Sequence, residues 1–178
     1  MHRLKSAMLW TNIFGGVAVL GSYVLGLAVR PESAGALWGG VPQQLRHLYT
    51  AGMFLAALGY LAFTYFLLFR LDPDQARIGG APRFRLFISL YTWILVPSAL
   101  WMPLTLRMVE QPSLALWLVI RLDLAAVALA ALGMLVALLW TKPRQPRWAW
   151  WMAVAGACLF FLHTGVLDAI LWPAFFAA

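Results

Sequence analysis

Charged residues are scarce in this chain, and that scarcity excludes an ordinary soluble domain. Of its 178 residues, 11% are Asp, Glu, Lys or Arg, whereas 63% are hydrophobic and ten are Trp. A soluble domain carries about 25% charged residues, which cover its surface in water. We therefore interpret the chain as an integral membrane protein in contact with the lipid bilayer.

Cysteine and histidine are also few, and catalytic signatures are missing. The single Cys158 excludes an internal disulfide, and three His residues are too few to predict a zinc site. The sequence has no HExxH, no CxxC, no phosphate-binding glycine loop and no kinase or hydrolase signature. It therefore identifies no catalytic residue and no metal ligand, requires no cofactor, and favours a binding protein over an enzyme.

The net charge of +7 does not predict a nucleic-acid partner. Lys and Arg lie mainly between the apolar runs, not along one stripe as on a DNA-binding surface. This distribution is typical of membrane topology, in which cytoplasmic loops carry most of the basic residues.

Five apolar stretches are long enough to cross a bilayer, since about 20 helical residues span its hydrocarbon core. They predict an all-α fold with a single domain over residues 1–178, a bundle of five transmembrane helices. The predicted spans cover residues 8–29, 48–69, 86–106, 114–140 and 148–176.

The basic residues predict the orientation of this bundle. Nine Lys and Arg residues lie on the side of the N-terminus, and three, Arg30, Arg46 and Arg107, lie on the opposite side. Because cytoplasmic loops carry the excess of Lys and Arg, we place the N-terminus inside and the C-terminus outside. The longest outer loop, residues 30–44, carries Trp38, which is interpreted as part of a lid or as an anchor at the lipid headgroups.

Polar and ionisable residues of the apolar runs cluster at one depth. A charged side chain in hydrocarbon costs roughly 2.5–3.5 kcal/mol on insertion scales, so it normally faces a protein interior or a cavity. Counting ~1.5 Å of rise per residue puts these side chains in the outer half of the bilayer. We predict that they line a pocket that opens toward the outer leaflet beneath Trp38. The residues are His47, Tyr49, Ser98, Trp101, Arg121, Asp123, His163, Asp168 and Trp172.

Several interpretations of these groups stay open at this point. Arg121 and Asp123 are two residues apart and point to nearly opposite sides of a helix, so each needs its own partner. An Arg121–Asp168 ion pair, or Arg121 extended to the headgroups, is a purely structural alternative. His47 and His163 as axial haem ligands would make the chain a membrane redox protein. Asp123 and Asp168 as proton carriers would make it a proton-coupled transporter of small molecules.

Two short motifs resemble the translocator protein family, which includes TspO and the peripheral benzodiazepine receptor. Residues Ser98–Pro103 read SALWMP, similar to the family's Asn-x-Leu-Trp-x-Pro. Residues Leu167–Trp172 read LDAILW, similar to its Leu-Asn-x-x-Ile-Trp. Chain length, five spans, abundant Trp and a long first loop agree as well, while Ser98 and Asp168 stand where the family has Asn.

The resemblance implies a five-helix bundle, often a homodimer, that binds porphyrins, haem or sterol-like ligands beneath the first loop. Carried over by position, Ser98, Trp101 and Asp168 would line the pocket, and Trp38 would belong to the lid. The resemblance implies no role for His163 or His47, which are predicted for the pocket from their depth in the bilayer alone. We therefore expect a binding or translocator protein for a planar hydrophobic ligand, with a sensing or transport role in a bacterial inner membrane.

Overall fold

The computed structural model describes residues 2–176 apart from the side chains of residues 32 and 33, so residues 1, 177 and 178 of the predicted domain lie outside the described range. The chain has five helical spans that are long and apolar enough to cross a membrane. This agrees with the predicted all-α membrane bundle. The long helices are α1 (Arg3–Val29), α2 (Gln43–Tyr65), α3 (Phe84–Glu110), α4 (Leu114–Trp140) and α5 (Arg147–Phe161).

Both α2 and α5 continue as π-helix. The segment Phe66–Arg70 extends α2, and the segment Leu162–Leu171 extends α5 and leads into the short α6, Trp172–Phe175. A π-helix has i→i+5 hydrogen bonds, is usually one turn long, and is frequent at functional sites. The ten π-helical residues after α5 therefore mark the last span as the unusual element of the fold.

The first two helices begin five residues earlier than the hydropathy of the sequence predicts, at Arg3 and Gln43. The other three begin within two residues of the predicted starts. Hydropathy detects the apolar part of a helix, whereas polar first turns can project beyond the hydrocarbon. The first loop is correspondingly shorter than predicted, because residues 43 and 44 belong to α2.

The helices pack in the spatial order α1, α3, α4, α5 and α2. Helix α1 lies at the periphery: within Arg3–Val29, all of which is described, Met8 alone is buried. Helices α2 and α5 touch backbone to backbone, since a Cβ atom on Gly156 would lie 2.6 Å from the Gly59 carbonyl oxygen. Small residues allow such close approach between helices in a membrane.

A dense apolar core fills the end of the bundle that holds the N-terminus, which we call the packed half. The rings of Tyr60, Phe63, Tyr91 and Phe160 pack there with centroids 5.2–5.9 Å apart. The connections at this end are also joined, because strand β1 (Arg77–Ile78) pairs antiparallel with strand β2 (Thr141–Lys142). The buried core of the packed half includes Met8, Phe63, Phe66, Phe87, Tyr91, Met134, Leu138 and Ala153.

The opposite end, which we call the loop half, contains the first loop and the C-terminal end of the last span. The first loop is two short 3₁₀ turns, Pro31–Ala34 and Ala36–Trp38, followed by an extended approach to α2. At the start of α4, the Ser113 hydroxyl caps the helix by accepting a hydrogen bond from the Leu116 amide at 3.2 Å. The buried cluster of the loop half is Val41, Tyr49, Met108, Ile120, Leu124 and Trp172.

Candidate functional site

A cavity of about 400 Å³ lies in the loop half, between all five spans and beneath the first loop. Its volume falls within the ~300–1,000 Å³ that is usual for small-molecule sites. The wall is mostly apolar and aromatic, with a few polar groups that point to it from α3, α4 and the π-helical segment. A site of this composition suits a small molecule that is largely apolar and has a small number of polar atoms.

The π-helical segment places His163 and Asp168 side by side on the cavity wall. Residues five apart lie about 140° apart around an α-helix of 3.6 residues per turn. In a π-helix the residue at i+5 is the hydrogen-bonding neighbour of residue i, so the two side chains meet. The Nε2 atom of His163 lies 3.5 Å from Oδ2 of Asp168, and 34% of the Asp168 side chain remains accessible.

The second nitrogen of the His163 ring faces helix α2. This Nδ1 atom is buried and has no hydrogen-bond partner among the side chains and backbone groups that the structure describes. A Cβ atom on Gly52 would lie 2.8 Å from it. The ring therefore fits against α2 because residue 52 has no side chain.

Unpaired buried polar atoms concentrate around the cavity. Among the described residues they number four, on Trp101, Thr105, Asp123 and His163, and three of these residues line the cavity. A buried polar group without a partner costs about 1–3 kcal/mol, so most proteins pair nearly all of them. The unpaired indole N–H of Trp101 and carboxylate oxygen of Asp123 are therefore groups that a ligand with complementary polar atoms would satisfy.

Trp101 is also the centre of an aromatic surface. Its ring stacks on Tyr23 with centroids 5.7 Å apart and planes 24° apart, and it meets Trp172 edge to face at 5.8 Å. Aromatic rings prefer these offset and edge-to-face arrangements, and they can adopt them with the ring of a ligand as well. The cavity therefore has a wall that matches a planar ligand.

The first loop closes the cavity from above and is fastened to the end of the last span. The indole N–H of Trp172 donates to the carbonyl of Leu37 at 3.0 Å. The amide of Gly40 donates to the carbonyl of Phe175 at 2.8 Å. Trp38 lies on the cavity and meets Tyr49 edge to face at 6.3 Å. In this arrangement the loop has the position of the predicted lid.

Eight of the ten residues predicted for the site line this one cavity. They come from the first loop, α2, α3, α4, the π-helical segment and α6, which are distant in sequence. They are Trp38, Tyr49, Ser98, Trp101, Asp123, His163, Asp168 and Trp172.

The structure does not bring the other two predicted residues to the cavity. His47 is exposed, and so is Arg121, whose guanidinium lies 6.0 Å from the ring centroid of Trp117. Each is two residues from a cavity-lining residue, so the turn of the helix points it the other way. The alternative Arg121–Asp168 ion pair does not form, since the ionisable partner of Asp168 is His163.

Sequence reasoning missed the contribution of α1. Tyr23 and Leu27 line the cavity, although α1 is otherwise the least buried helix. A signal was available: a Tyr six residues from the end of an apolar span lies at the same depth as the predicted polar cluster. Thr164, next to His163, was missed as well; it lines the cavity and donates its hydroxyl to the carbonyl of Phe160 at 2.9 Å.

The described part of the chain has no group of three His, Cys, Asp or Glu side chains that could hold a metal ion. No protein-family model, no curated protein and no solved structure matches the chain. The likeness to the translocator family therefore consists of the two short motifs, the number of spans and the long first loop.

Proposed function

We propose that this chain is a membrane protein that binds a planar, largely apolar small molecule in the cavity of the loop half. The observation that carries the proposal is the cavity itself, in which the aromatic surface of Trp101 meets unpaired polar groups beneath the first loop. Porphyrins, haem and sterol-like molecules are the ligands that the family resemblance suggests, and a sensing or transport role goes with them.

The same proposal assigns an orientation. The excess of Lys and Arg at the end that holds the N-terminus supports a cytoplasmic position for that end, with the cavity on the outer side of a bacterial inner membrane. A homodimer belongs to the proposal through the resemblance alone.

The two alternative functions have less support. A haem held between His47 and His163 would need both rings at one cavity, and His47 is exposed away from it. The position of Asp123 and Asp168 in one cavity supports a proton-coupled transporter, but transport also needs a path from that cavity to the opposite side of the membrane. Among the described residues the cavity lining stops at the level of Met53, Val127 and Thr164, above the packed half.

Fluorescence titration of the purified protein tests the proposal. Protoporphyrin IX, haem and the neutral polycycle 1-pyrenemethanol are added separately while Trp emission is followed. We expect saturable quenching with at least one of them, and an affinity about three- to tenfold lower in Trp101→Ala, because one stacking face is lost.

The matched control is Trp93→Ala on the same helix, since Trp93 is 59% exposed and lies away from the cavity. This variant loses the same number of fluorophores and should keep the affinity. If none of the three probes and no charged derivative of the same polycycle saturates, or if Trp101→Ala and Trp93→Ala bind alike, the proposed function is wrong.

A further inference from the structure

We propose that the cavity selects planar organic cations over neutral and anionic molecules of the same shape, through the carboxylates of Asp123 and Asp168. This rests on the proposed function and names its ligand class. The cavity would bind a flat ring system that carries a protonated amine or amidine most tightly, and it would bind ring systems whose charged side groups are carboxylates, protoporphyrin IX and haem among them, more weakly.

The charge of the cavity wall is one-sided. Among the described residues its lining has two carboxyl groups, Asp123 and Asp168, and one imidazole, His163, beside two neutral phenols, and it has no Lys or Arg. A single imidazole offsets at most one of two negative charges. With both carboxyl groups ionised, the cavity wall therefore has a negative charge that a bound cation would balance.

The basic residues of the loop half do not line the cavity. The guanidinium of Arg46 packs 5.5 Å from the ring centroid of Trp38, and its Nε donates to the carbonyl of Val41 at 3.2 Å. Arg30 forms an ion pair with Glu110 on the outside of the bundle. Since none of these side chains lines the cavity, none supplies a counter-ion to its carboxylates.

The contacts of the two carboxyl groups leave room for a ligand. Asp123 has no ion-pair partner in the described part of the chain, and its buried Oδ2 accepts no hydrogen bond there. Asp168 has one ionisable partner in the described part of the chain: its Oδ2 atom lies 3.5 Å from Nε2 of His163. This distance is longer than the ~2.7–2.9 Å of a strong N⁺–H···O⁻ bond. Each carboxylate can therefore accept a hydrogen bond from a bound cation.

The aromatic wall favours the same charge. The faces of Trp and Tyr carry negative potential and attract cations within about 6 Å. Trp101, Tyr23 and Trp172 surround the polar groups, so a planar cation would stack on rings and pair with a carboxylate at once. In a site of low dielectric constant both interactions are stronger than in water. A carboxylate on the ligand would instead face Asp123 and Asp168.

Three probes of one shape test the charge preference. The cation 1-pyrenemethylamine, the neutral 1-pyrenemethanol and the anion 1-pyrenecarboxylate share one polycycle and differ in the charge of a small substituent. They are titrated into the protein in an uncharged maltoside detergent, with energy transfer from Trp to pyrene as the signal. We expect the cation to bind about tenfold or more tightly than the neutral probe, and the anion to bind weakest.

Asparagine variants then locate the preference. Asp123→Asn and Asp168→Asn keep the shape of the side chain and remove the charge, so each should reduce cation affinity about tenfold and lower the ratio of cation affinity to neutral-probe affinity by about threefold or more. The control is Asp74→Asn, which removes a carboxylate at the opposite end of the molecule, where the Asp74 side chain is 77% exposed.

The outcomes separate the two claims. If the neutral or the anionic probe binds the unmodified protein as tightly as the cation, the charge inference is wrong while the proposed function stands. The inference also fails if the cation preference survives in both Asn variants and in the double variant. If no pyrene probe and no tetrapyrrole saturates, the proposed function itself is wrong. Comparison of the three probes on the unmodified protein decides the inference even when a variant does not fold.

Discussion

The packed half and the loop half of the bundle differ in how completely their buried polar side chains are hydrogen-bonded. In the packed half the hydroxyl of Tyr91 lies 2.7 Å from that of Thr64, the hydroxyl of Tyr60 donates to Asn12, and the indole of Trp150 donates to the carbonyl of Leu138 at 2.9 Å. In the loop half lie all four buried side-chain polar atoms that lack a partner within residues 2–176. The same five helices thus form a completed core at one end and an incomplete one at the other.

This difference indicates that the packed half stabilises the fold and that the loop half can bind a ligand. Lipid tails are as apolar as the core, so close packing and hydrogen bonds, not exclusion of water, hold membrane helices together. Those interactions are concentrated in the packed half. The loop half instead keeps a cavity and unpaired groups, which only a ligand or water can complete.

The largest expected effect is the removal of a core ring from the packed half. Phe63 is fully buried among Tyr60, Tyr91 and Phe160. Phe63→Ala should lower the free energy of unfolding by about 3 kcal/mol, the low end for a soluble core because lipid accepts apolar surface without penalty. Phe54→Ala on the same helix is the control, since Phe54 is 69% exposed. Equal thermal unfolding of the two variants would contradict a completed core at this end.

The next effect compares added volume in the two halves. Ala153 is fully buried in the packed half, whereas Ser98 lines the cavity. Ala153→Leu should cost about 1–3 kcal/mol of stability, because a dense core cannot take extra methyl groups. Ser98→Leu should unfold within a few degrees of the unmodified protein but lose most binding of 1-pyrenemethanol, because the new side chain occupies the cavity. Thermal unfolding and the titration are measured on both variants. If Ser98→Leu binds 1-pyrenemethanol normally, the cavity is not the binding site.

The smallest effect compares two hydroxyl groups. Thr64 bonds to Tyr91, whereas Thr105 is fully buried with an unpaired hydroxyl. Thr64→Val should destabilise by about 1 kcal/mol, because the Tyr91 hydroxyl loses its partner, whereas Thr105→Val should be neutral or slightly stabilising. If the midpoint of thermal unfolding instead falls further in Thr105→Val than in Thr64→Val, the hydroxyl of Thr105 has a partner in the folded protein.

The depth of a residue along its helix predicted most of the residues that line the cavity. Two predicted residues, His47 and Arg121, do not line it because of the direction in which they point around their helices. Depth along a helix comes from the rise per residue, so Asp123, His163 and Trp101 could be assigned to one level from the sequence. Depth does not give the direction in which a side chain points around its helix. His47 and Arg121 stand two residues from Tyr49 and Asp123, and a 200° rotation points them away from the cavity.

The pairing of His163 with Asp168 could not be predicted from α-helical geometry. An α-helix would separate these side chains by about 140°, so α-helical geometry does not bring them into contact. The π-helical segment brings them together instead. Periodic apolar patterns do not report a change of helix type within a continuous span, which is why this contact appears only in the folded chain.

By itself, the sequence determined that the chain has five helices long and apolar enough to cross a membrane, and how far along each of them its polar residues lie, because hydropathy and helical rise are local properties. The tertiary structure decided which of those residues share a cavity, how the first loop is fastened over it, and that α1 adds Tyr23 to its wall. Those features depend on which face each helix turns to its neighbours, and that choice is made by packing across the bundle, which no local pattern encodes.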